Sequence, residues 1–220
     1  MLFILIFTVL VVLFIIFSSS STEFINKFSN VYKNKVWGDD KNDSYTGSSG
    51  TGSDVEYNRH TYIPFIKKFI LDKNIKTVVD LGCGNFICGQ YIYDDLDVKY
   101  TGYDAYEDVI KKHKNDSKYE FIFSDFYTEK ESIKSADLCI VKDVLQHWPL
   151  RNIRTFMDYI VKSNKFKYIL VCNCAKDAQD DIDIDIGEFR PLSADKSPLN
   201  TYNLNKVYEW DTKEVSILKI

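Results

Sequence analysis

The sequence is poor in the features that mark several classes of protein. It has nine glycines and four prolines among 220 residues, with 27% charged and 45% hydrophobic residues. This balance is typical of a globular chain and excludes collagen and wholesale disorder. Its five cysteines are odd in number and lack the spacing of a disulfide framework. A secreted scaffold held together by disulfides is therefore not expected.

An excess of positive charge is also missing. The chain has 28 lysines and arginines against 32 aspartates and glutamates, which gives a formal net charge of −4. A strongly basic nucleic-acid-binding protein would look different, although a local basic groove stays compatible with these numbers. Aromatic residues are abundant instead, with 15 Phe, 15 Tyr and 3 Trp. They supply enough apolar area for the core of one ordinary domain.

Long apolar runs are absent except for one at the N-terminus, which excludes a multi-span membrane protein. Residues 2–17 are apolar apart from Thr8, and as a helix they would measure about 24 Å. That length is near the lower limit for a transmembrane helix and near the upper limit for a signal-peptide core. Residues 1–21 are thus interpreted first as a single-pass anchor and second as a cleaved signal. A buried core helix is the weakest interpretation, because the segment has no polar face.

The charges around this segment predict its orientation. Lys27, Lys33 and Lys35 follow it, and no Lys or Arg precedes it. The positive-inside tendency then places the folded domain in the cytoplasm. Residues 22–56 are interpreted as a tether or short amphipathic entry segment followed by a glycine-rich loop.

Strand and helix patterns alternate through the rest of the chain. Strands are predicted at residues 77–81, 98–103, 121–123, 138–141 and 168–172, with helices at 57–71, 107–114 and 151–163. Short apolar strands separated by helices indicate a mainly parallel sheet covered on both faces. Residues 175–203 are predicted to be a long loop, which in a compact domain is usually functional or mobile. An antiparallel strand pair, residues 206–210 and 215–220, follows it.

Three aspartates fall at the carboxyl ends of neighbouring predicted strands. Asp80 lies in the first strand, Asp104 follows the second, and Asp125 follows the third. Open α/β sheets bind ligands at this edge, and a carboxylate in the place of Asp104 can accept both hydroxyls of a ribose. Gly82 and Gly84 let the backbone turn tightly against a ligand. A single aspartate would more often cap a turn or helix, but three at one edge predict a site.

These segments resemble the motifs of the class I S-adenosylmethionine-dependent methyltransferases. Residues 78–84 look like the first motif of that family, and residues 137–147 look like the motif after its fourth strand. The resemblance covers roughly residues 57–220. It implies a Rossmann-like, doubly wound, mainly parallel α/β sheet of seven strands with an antiparallel closing pair. It also implies that S-adenosylmethionine is bound by Asp80, Gly82, Gly84, Asp104, Asp125 and Phe126, with Asp125 beside the adenine.

Two further segments narrow the resemblance. Residues 46–53 and 187–192 look like parts of a small branch of the family that is met in bacteria and large viruses, sometimes near glycan-modifying enzymes. The loop of residues 175–203 departs from the family pattern, because it stands where the family usually has its last helix. This departure affects the prediction of acceptor specificity and not that of cofactor binding. Trp37 and Tyr45, near the glycine-rich loop, are candidates for a lid over the cofactor.

A nicotinamide cofactor is the competing interpretation of the glycine turn. The third glycine of a dinucleotide motif would fall at position 87, which is Ile. Phe86 in the turn suits adenosine or a methylthio group better than a pyrophosphate. The acidic setting also suits a cationic sulfonium.

The residues after the fourth strand are the candidates for chemistry, because the transferred methyl group should emerge there. His147 can take a proton from an acceptor hydroxyl, and Asp143 can orient it or serve as the base. Packing under Trp148 is an equally weighted interpretation of His147. The predicted substrate-binding residues are Gln146 and Arg190, whose guanidinium can grip a carboxylate, a phosphate or sugar hydroxyls.

No metal site is predicted, because the cysteines lack zinc spacing, although an ion between Asp143 and the acidic residues 180–185 stays open. The sequence thus predicts a membrane-anchored enzyme that methylates an oxygen of a small polar molecule or glycan. A non-catalytic, membrane-tethered interaction module on the same fold is the alternative. A nucleic-acid partner is not expected.

Overall fold

The structure is a computed structural model that describes residues 23–39 and 46–220. The apolar segment of residues 2–17 and the lid candidate Tyr45 lie outside the described residues. Within the described ranges, no helix has both the length and the apolar character needed to cross a membrane.

The described residues form a seven-stranded sheet with the order β3-β2-β1-β4-β5-β7-β6. Strands β1 to β5 are parallel, whereas β7 runs antiparallel to β5 and β6 antiparallel to β7. The predicted doubly wound sheet with an antiparallel closing pair is therefore confirmed, and every predicted strand is present with its ends shifted by no more than two residues. The strands are β1 (Thr77–Leu81), β2 (Lys99–Asp104), β3 (Glu120–Phe123), β4 (Ala136–Lys142), β5 (Phe166–Cys174), β6 (Asn205–Trp210) and β7 (Lys213–Lys219).

Helices cover both faces of the sheet. They are α1 (Glu23–Lys33), α2 (Val55–Asn58), α3 (Tyr62–Asp72), α4 (Ile87–Tyr93), α5 (Glu107–Lys112) and α6 (Leu150–Lys162). Strand β4 shows why both faces need cover, because its side chains alternate between two cores. Cys139 and Val141 pack in the core that holds α6, and Leu138 and Ile140 pack in the core that holds α3. Such a fully apolar strand is typical of a parallel sheet.

One predicted helix is wrong in its extent. Residues 57–71 were predicted to be a single helix, but the chain breaks between α2 and α3. The side-chain amide of the buried Asn58 donates to the carbonyls of Gly52 and Asp54, both at 2.8 Å. These bonds tie the end of α2 to the glycine-rich loop, so the chain turns there before α3 begins. Pro64 lies in the first turn of α3, where its missing N–H costs no helical hydrogen bond.

The segment before the glycine-rich loop is an amphipathic helix that packs on the domain, which is the second of its two predicted forms. Phe24 and Tyr32 of α1 are almost fully buried. Phe24 stacks on Tyr127 with ring centroids 4.7 Å apart, and Tyr32 stacks on Tyr106 at 4.2 Å. Helix α1 is thus part of the folded domain and lies over the carboxyl edge of the sheet.

Residues 175–203 form a loop, as predicted, with a single 3-10 turn at Leu199–Tyr202 in this fully described stretch. The loop is attached to the domain at several points. Asp183 accepts a hydrogen bond at 2.8 Å from the N–H of Leu150 at the start of α6. The N–H of Leu192 donates to the carbonyl of Cys174 at 2.8 Å. The loop therefore has a defined place at the same sheet edge as α1.

Candidate functional site

A cavity opens at the carboxyl ends of β1 to β4. It encloses about 1060 Å³ of space free of protein atoms, counting the part open to solvent. The predicted cofactor-binding residues all line it, namely Asp80, Gly82, Gly84, Asp104, Asp125 and Phe126. His147 and Asp143, the predicted catalytic residues, also line it.

The turn after β1 requires glycine at two positions. Gly82 and Gly84 have φ angles of 83° and 55°, in the left-handed region that favours glycine. A Cβ atom at Gly82 would collide with the side chain of Val144, and one at Gly84 would lie 2.8 Å from the hydroxyl of Ser49. The turn therefore has no room for a side chain at either position, and its glycines line the cavity.

Asp104 is the buried carboxylate of this turn. Its two oxygens accept hydrogen bonds from the N–H groups of Gly84 and Tyr106, each at 2.9 Å. Burial nevertheless raises the pKa of Asp104 to about 6. A carboxylate has about four acceptor positions, so those not used by the backbone remain for a ligand in the cavity.

Asp80 and Asp125, the other two aspartates of the cavity, also accept hydrogen bonds within the protein. Asp80 accepts a hydrogen bond from the hydroxyl of Tyr100 at 2.9 Å, and burial raises its pKa to about 6. Asp125 accepts from the hydroxyl of Thr128 at 2.8 Å and from the N–H groups of Tyr127 and Thr128 at 3.2 Å. Burial raises the pKa of Asp125 as well. Asp125 thus caps the turn after β3 while it lines the cavity.

Asp143 is neutralised by two lysines. Lys142 contacts one of its oxygens at 2.7 Å, and Lys213 contacts the other. Burial alone would raise the pKa of Asp143, but attraction to both lysines holds it at about 2. Such a carboxylate has little affinity for a proton. Its role is to balance these lysines, and Lys142 also donates to the carbonyl of Gly52 in the glycine-rich loop at 2.7 Å.

His147 is better suited to accept a proton. It ends a 3-10 turn, Leu145–His147, and its Nδ1 atom lies 2.8 Å from the carbonyl oxygen of Glu188. A carbonyl can only accept, so Nδ1 carries the proton of the neutral ring and Nε2 keeps its lone pair. The side-chain amide of Gln146 then donates to Nε2, at 3.3 Å. Burial lowers the pKa of His147, which keeps the ring neutral at physiological pH.

Gln146 and Arg190, the predicted substrate-binding residues, are not among the described residues that line the cavity. The side-chain oxygen of Gln146 accepts from the N–H of Cys174 at 2.8 Å. The guanidinium of Arg190 is buried and donates to the carbonyl of Trp148 at 2.7 Å, and burial lowers its pKa to about 10. Both side chains hold backbone groups around His147 in place. Among the described residues, Nε and Nη2 of Arg190 are buried without a hydrogen-bond partner, so its contact with an acceptor stays a prediction. The carboxylate of Glu188 accepts from the N–H of Asp185 at 2.9 Å.

Helix α1 supplies a wall of the cavity that the sequence did not predict. Phe24, Phe28 and Tyr32 line it, together with Trp37 just beyond the helix. The ring of Trp37 lies 4.8 Å from the ring of His147. The spacing of four residues between the three aromatic positions of α1 is the signal that could have identified this wall. Lys213 had no such signal, because it comes from the start of β7.

Acidic side chains do not converge on a metal position in the part of the chain that the structure describes. Asp143 is paired with lysines, as described above. In the loop, Asp180 pairs with Lys196 and Asp181 with Arg154, at 3.3 and 2.7 Å. The open possibility of an ion between Asp143 and residues 180–185 therefore has no geometric support among the described residues.

Known proteins with this fold are methyltransferases. An O-methyltransferase family protein from Burkholderia thailandensis matches with a TM-score of 0.52 and 14% identity, over 72% of this chain and 55% of that one. The N-methyltransferase NodS from Bradyrhizobium japonicum WM9, in complex with S-adenosyl-L-homocysteine, matches with a TM-score of 0.54 and 13% identity, over 74% and 86%. The methyltransferase domain of bacterial CtHen1-C matches with a TM-score of 0.55 and 13% identity, over 74% and 98%.

No family model and no curated protein matches the sequence. At the identities above, the structural matches establish the fold, which is that of the class I S-adenosylmethionine-dependent methyltransferases. This chain spans about half the length of the Burkholderia protein. The resemblance seen in the sequence motifs is thus confirmed at the level of the fold.

Proposed function

We propose that this protein is an S-adenosylmethionine-dependent methyltransferase that acts on a hydroxyl group of a small molecule, with His147 as the base. The observation that carries the proposal is one cavity that joins a glycine turn, the buried Asp104 and a neutral histidine. The turn and the carboxylate suit an adenosine cofactor, and the histidine suits removal of a proton.

The residues on the cofactor side of the cavity, at the ends of β1 to β3, have the chemical groups that S-adenosylmethionine requires. Asp104 offers carboxylate oxygens for the ribose hydroxyls, and Asp125 with Phe126 provides an acceptor and a ring for the adenine. Gly82 and Gly84 line the cavity, and a Cβ atom at either would collide with Val144 or Ser49. Two carboxyls whose pKa is about 6 favour a positively charged ligand. When bound, this cofactor supplies a methyl group that an acceptor atom can attack.

The acceptor side favours an oxygen atom. An alcohol or phenol must lose a proton as its oxygen is methylated, and a positioned base speeds such a step by about 10²–10⁴. His147 is neutral and directs its Nδ1 proton to the carbonyl of Glu188, so Nε2 is the acceptor atom, which the Gln146 amide contacts at 3.3 Å. Asp143, the other residue considered as a base, is excluded by its two lysine partners. The remaining rate enhancement comes from positioning the two reactants.

The acceptor is a hydroxyl-bearing small molecule. A glycan is included in this class by the resemblance of residues 46–53 and 187–192 to a branch associated with glycan-modifying enzymes. N-methylation is disfavoured because a neutral amine attacks without prior loss of a proton and does not need the buried histidine.

Attachment to a membrane through residues 2–17, with the domain on the cytoplasmic side, is part of the proposal and rests on the sequence alone. Carbonate extraction of membranes that carry the full-length protein should leave it in the pellet. Release into the supernatant would contradict the anchor.

Calorimetry on the full-length protein tests the cofactor. Both S-adenosylmethionine and S-adenosylhomocysteine should bind, and NAD should not. The absence of binding by both sulfur ligands would end the proposal. Binding together with transfer of labelled methyl to a hydroxyl compound would support it, whereas transfer only to amines would remove the role of His147 as a base.

A further inference from the structure

Two oppositely charged side chains line the cavity on the same face of the sheet. Strand β1 pairs with β4 so that Asp80 lies opposite Ile140. Lys142 comes two residues further along β4, and side chains two positions apart in a strand point to the same face. Asp80 and Lys142 both line the cavity. The sheet therefore places a carboxylate and an ammonium group near each other beside the glycine turn.

Lys142 still has a hydrogen-bond donor to offer. Its ammonium group carries three N–H donors. Two of them are used, by the carbonyl of Gly52 and the carboxylate of Asp143, each at 2.7 Å. Nζ also lies 5.3 Å from the centroid of the Tyr62 ring, which is a cation–π distance. Among the described residues Lys142 has no further acceptor, so its third N–H is available to a ligand in the cavity.

The lysines around Asp143 carry more charge than this carboxylate balances. Lys142 and Lys213 share it, so the group has one positive charge in excess. The side chain of Lys142 is 15% exposed and that of Lys213 is 5% exposed. A charge that is largely removed from water is costly unless it is paired. An anionic group of a ligand in the cavity would supply the missing partner.

Asp80 does not supply that partner. Its carboxylate accepts a hydrogen bond from the hydroxyl of Tyr100 and forms no ion pair within the described part of the chain. Burial raises the pKa of Asp80 to about 6, while the Tyr100 hydrogen bond and the charge of Lys142 act against that rise. The charges of Asp80 and Lys142 therefore interact without direct contact. A ligand that carries an ammonium group beside a carboxylate would satisfy both.

We propose that Lys142 binds the α-carboxylate of the cofactor's amino acid part and that Asp80 receives the neighbouring α-ammonium group. This inference rests on the proposed function and adds to it a residue that selects among adenosine ligands. The zwitterion brings one negative charge to the lysines and one positive charge to Asp80. The ammonium group of Lys142 also contacts the carbonyl of Gly52, so one side chain joins the bound carboxylate to the glycine-rich loop.

Calorimetry on the full-length protein tests the role of the carboxylate. The two ligands are S-adenosylhomocysteine and its decarboxylated analogue, which keeps the amino group. S-adenosylhomocysteine should bind about 10- to 100-fold more tightly, because the analogue loses a hydrogen bond between charged groups. We call this ratio of affinities the carboxylate preference. Equal affinity for the two ligands overturns the proposal, whereas no binding of either ligand is a failure of the proposed function.

Lys142→Met and Lys213→Met are a matched pair of variants. Each removes one lysine and leaves Asp143 paired with the other, so neither creates an unpaired carboxylate. Lys213 is not among the described residues that line the cavity. Lys142→Met should therefore abolish most of the carboxylate preference, and Lys213→Met should keep it. Lys142→Arg, which keeps the charge, should also keep most of it.

A third ligand separates this effect from damage to the fold. 5′-Methylthioadenosine lacks the amino acid part, so it should bind the wild-type protein and the two methionine variants equally well. A carboxylate preference that is unchanged in Lys142→Met overturns the assignment of Lys142. Equal loss of the preference in Lys142→Met and Lys213→Met overturns it as well, because Lys213 would then matter as much as the lysine that lines the cavity.

Discussion

The aspartates on the two sides of the cavity have opposite pKa shifts. The cofactor side holds the glycine turn, and the acceptor side holds the residues after β4. On the cofactor side, Asp80 and Asp104 are buried without a cationic partner in contact, and burial raises the pKa of each to about 6. On the acceptor side, Asp143 is held between two lysines, and its pKa is about 2. The first side gains from a bound cation, whereas the group of Asp143, Lys142 and Lys213 carries one positive charge in excess. A sulfonium cofactor held at the first side matches this difference.

On the acceptor side the neutral His147 is the proposed base, and an acceptor hydroxyl would replace the Gln146 amide at its Nε2 atom. His147→Ala should therefore lower turnover by about 10²–10⁴, the usual contribution of a general base. Affinity for S-adenosylhomocysteine should not change, since the cofactor side is intact. Rates and calorimetry on the same preparation measure both. Full turnover in the variant would mean that proximity alone drives the reaction.

Removing the charge of Asp143 should damage the fold rather than the chemistry. Asp143→Asn keeps the side-chain shape and suits the positive φ of 58°, but it leaves Lys142 and Lys213 without their counter-charge. Breaking a buried pair in this way costs about 3–5 kcal/mol, to be measured as the free energy of unfolding in urea. The matched control is Asp72→Asn, whose partner Lys68 is exposed and whose loss should cost less than about 1 kcal/mol. Equal effects in the two variants would show that Asp143 has no special structural role.

Asp104 should matter for cofactor affinity, and also for the turn after β1, because it accepts the N–H groups of Gly84 and Tyr106. Asp104→Ala is expected to weaken binding of S-adenosylhomocysteine by about 10- to 100-fold, because a hydrogen bond to a charged group contributes about 1.5–3 kcal/mol. Asp97→Ala is a suitable control, since the Asp97 side chain is fully exposed. Calorimetric titration compares the two. Equal affinity in both variants would place the ribose elsewhere.

The smallest expected effect is a difference in pH dependence between the two sulfur ligands. A cation lowers the pKa of nearby carboxyls, so its binding releases protons and strengthens as pH rises. The ratio of S-adenosylmethionine to S-adenosylhomocysteine affinity should therefore increase between about pH 5 and pH 7, around the raised pKa of about 6 for Asp80 and Asp104. Titrations at several pH values measure it. A constant ratio would mean that these carboxyls do not sense the sulfonium charge.

Asp80 and Asp104 also determine the direction in which the free energy of unfolding of the ligand-free protein changes with pH. Their folded-state pKa is raised, so the unfolded chain loses its protons first as pH rises. Stability should then fall as the pH increases from about 4, the ordinary pKa of aspartate, to the raised pKa of about 6.

The cofactor side could be predicted from sequence because each of its parts is local. Strand β1 occupies the predicted residues, and the glycine turn follows it directly. Asp104 and Asp125 come at the ends of the next two strands, and parallel pairing brings these ends to one edge. A pattern of short apolar strands therefore carries enough information to place these side chains together.

The acceptor side was predicted less well because distant parts of the chain build it. His147 was identified, but its orientation depends on the carbonyl of Glu188, 41 positions further on. Arg190 was expected to contact the acceptor, since sequence does not show that the Trp148 carbonyl would bind its guanidinium. Asp143 was considered as a base, since a lysine on β7 gives no local sign that it will neutralise a carboxylate 70 positions earlier.

The sequence by itself determined the alternation of strands and helices, the edge of the sheet at which the aspartates meet, and the resemblance that points to a sulfonium cofactor. These features follow from periodicity and spacing within a few residues. Only the tertiary structure decided that Asp143 is neutralised, that Arg190 supports a backbone carbonyl, and that α1 and Trp37 form the wall beside His147. Those outcomes depend on which groups lose water together when separate segments pack, and burial of that kind has no signature in the spacing of residues along the chain.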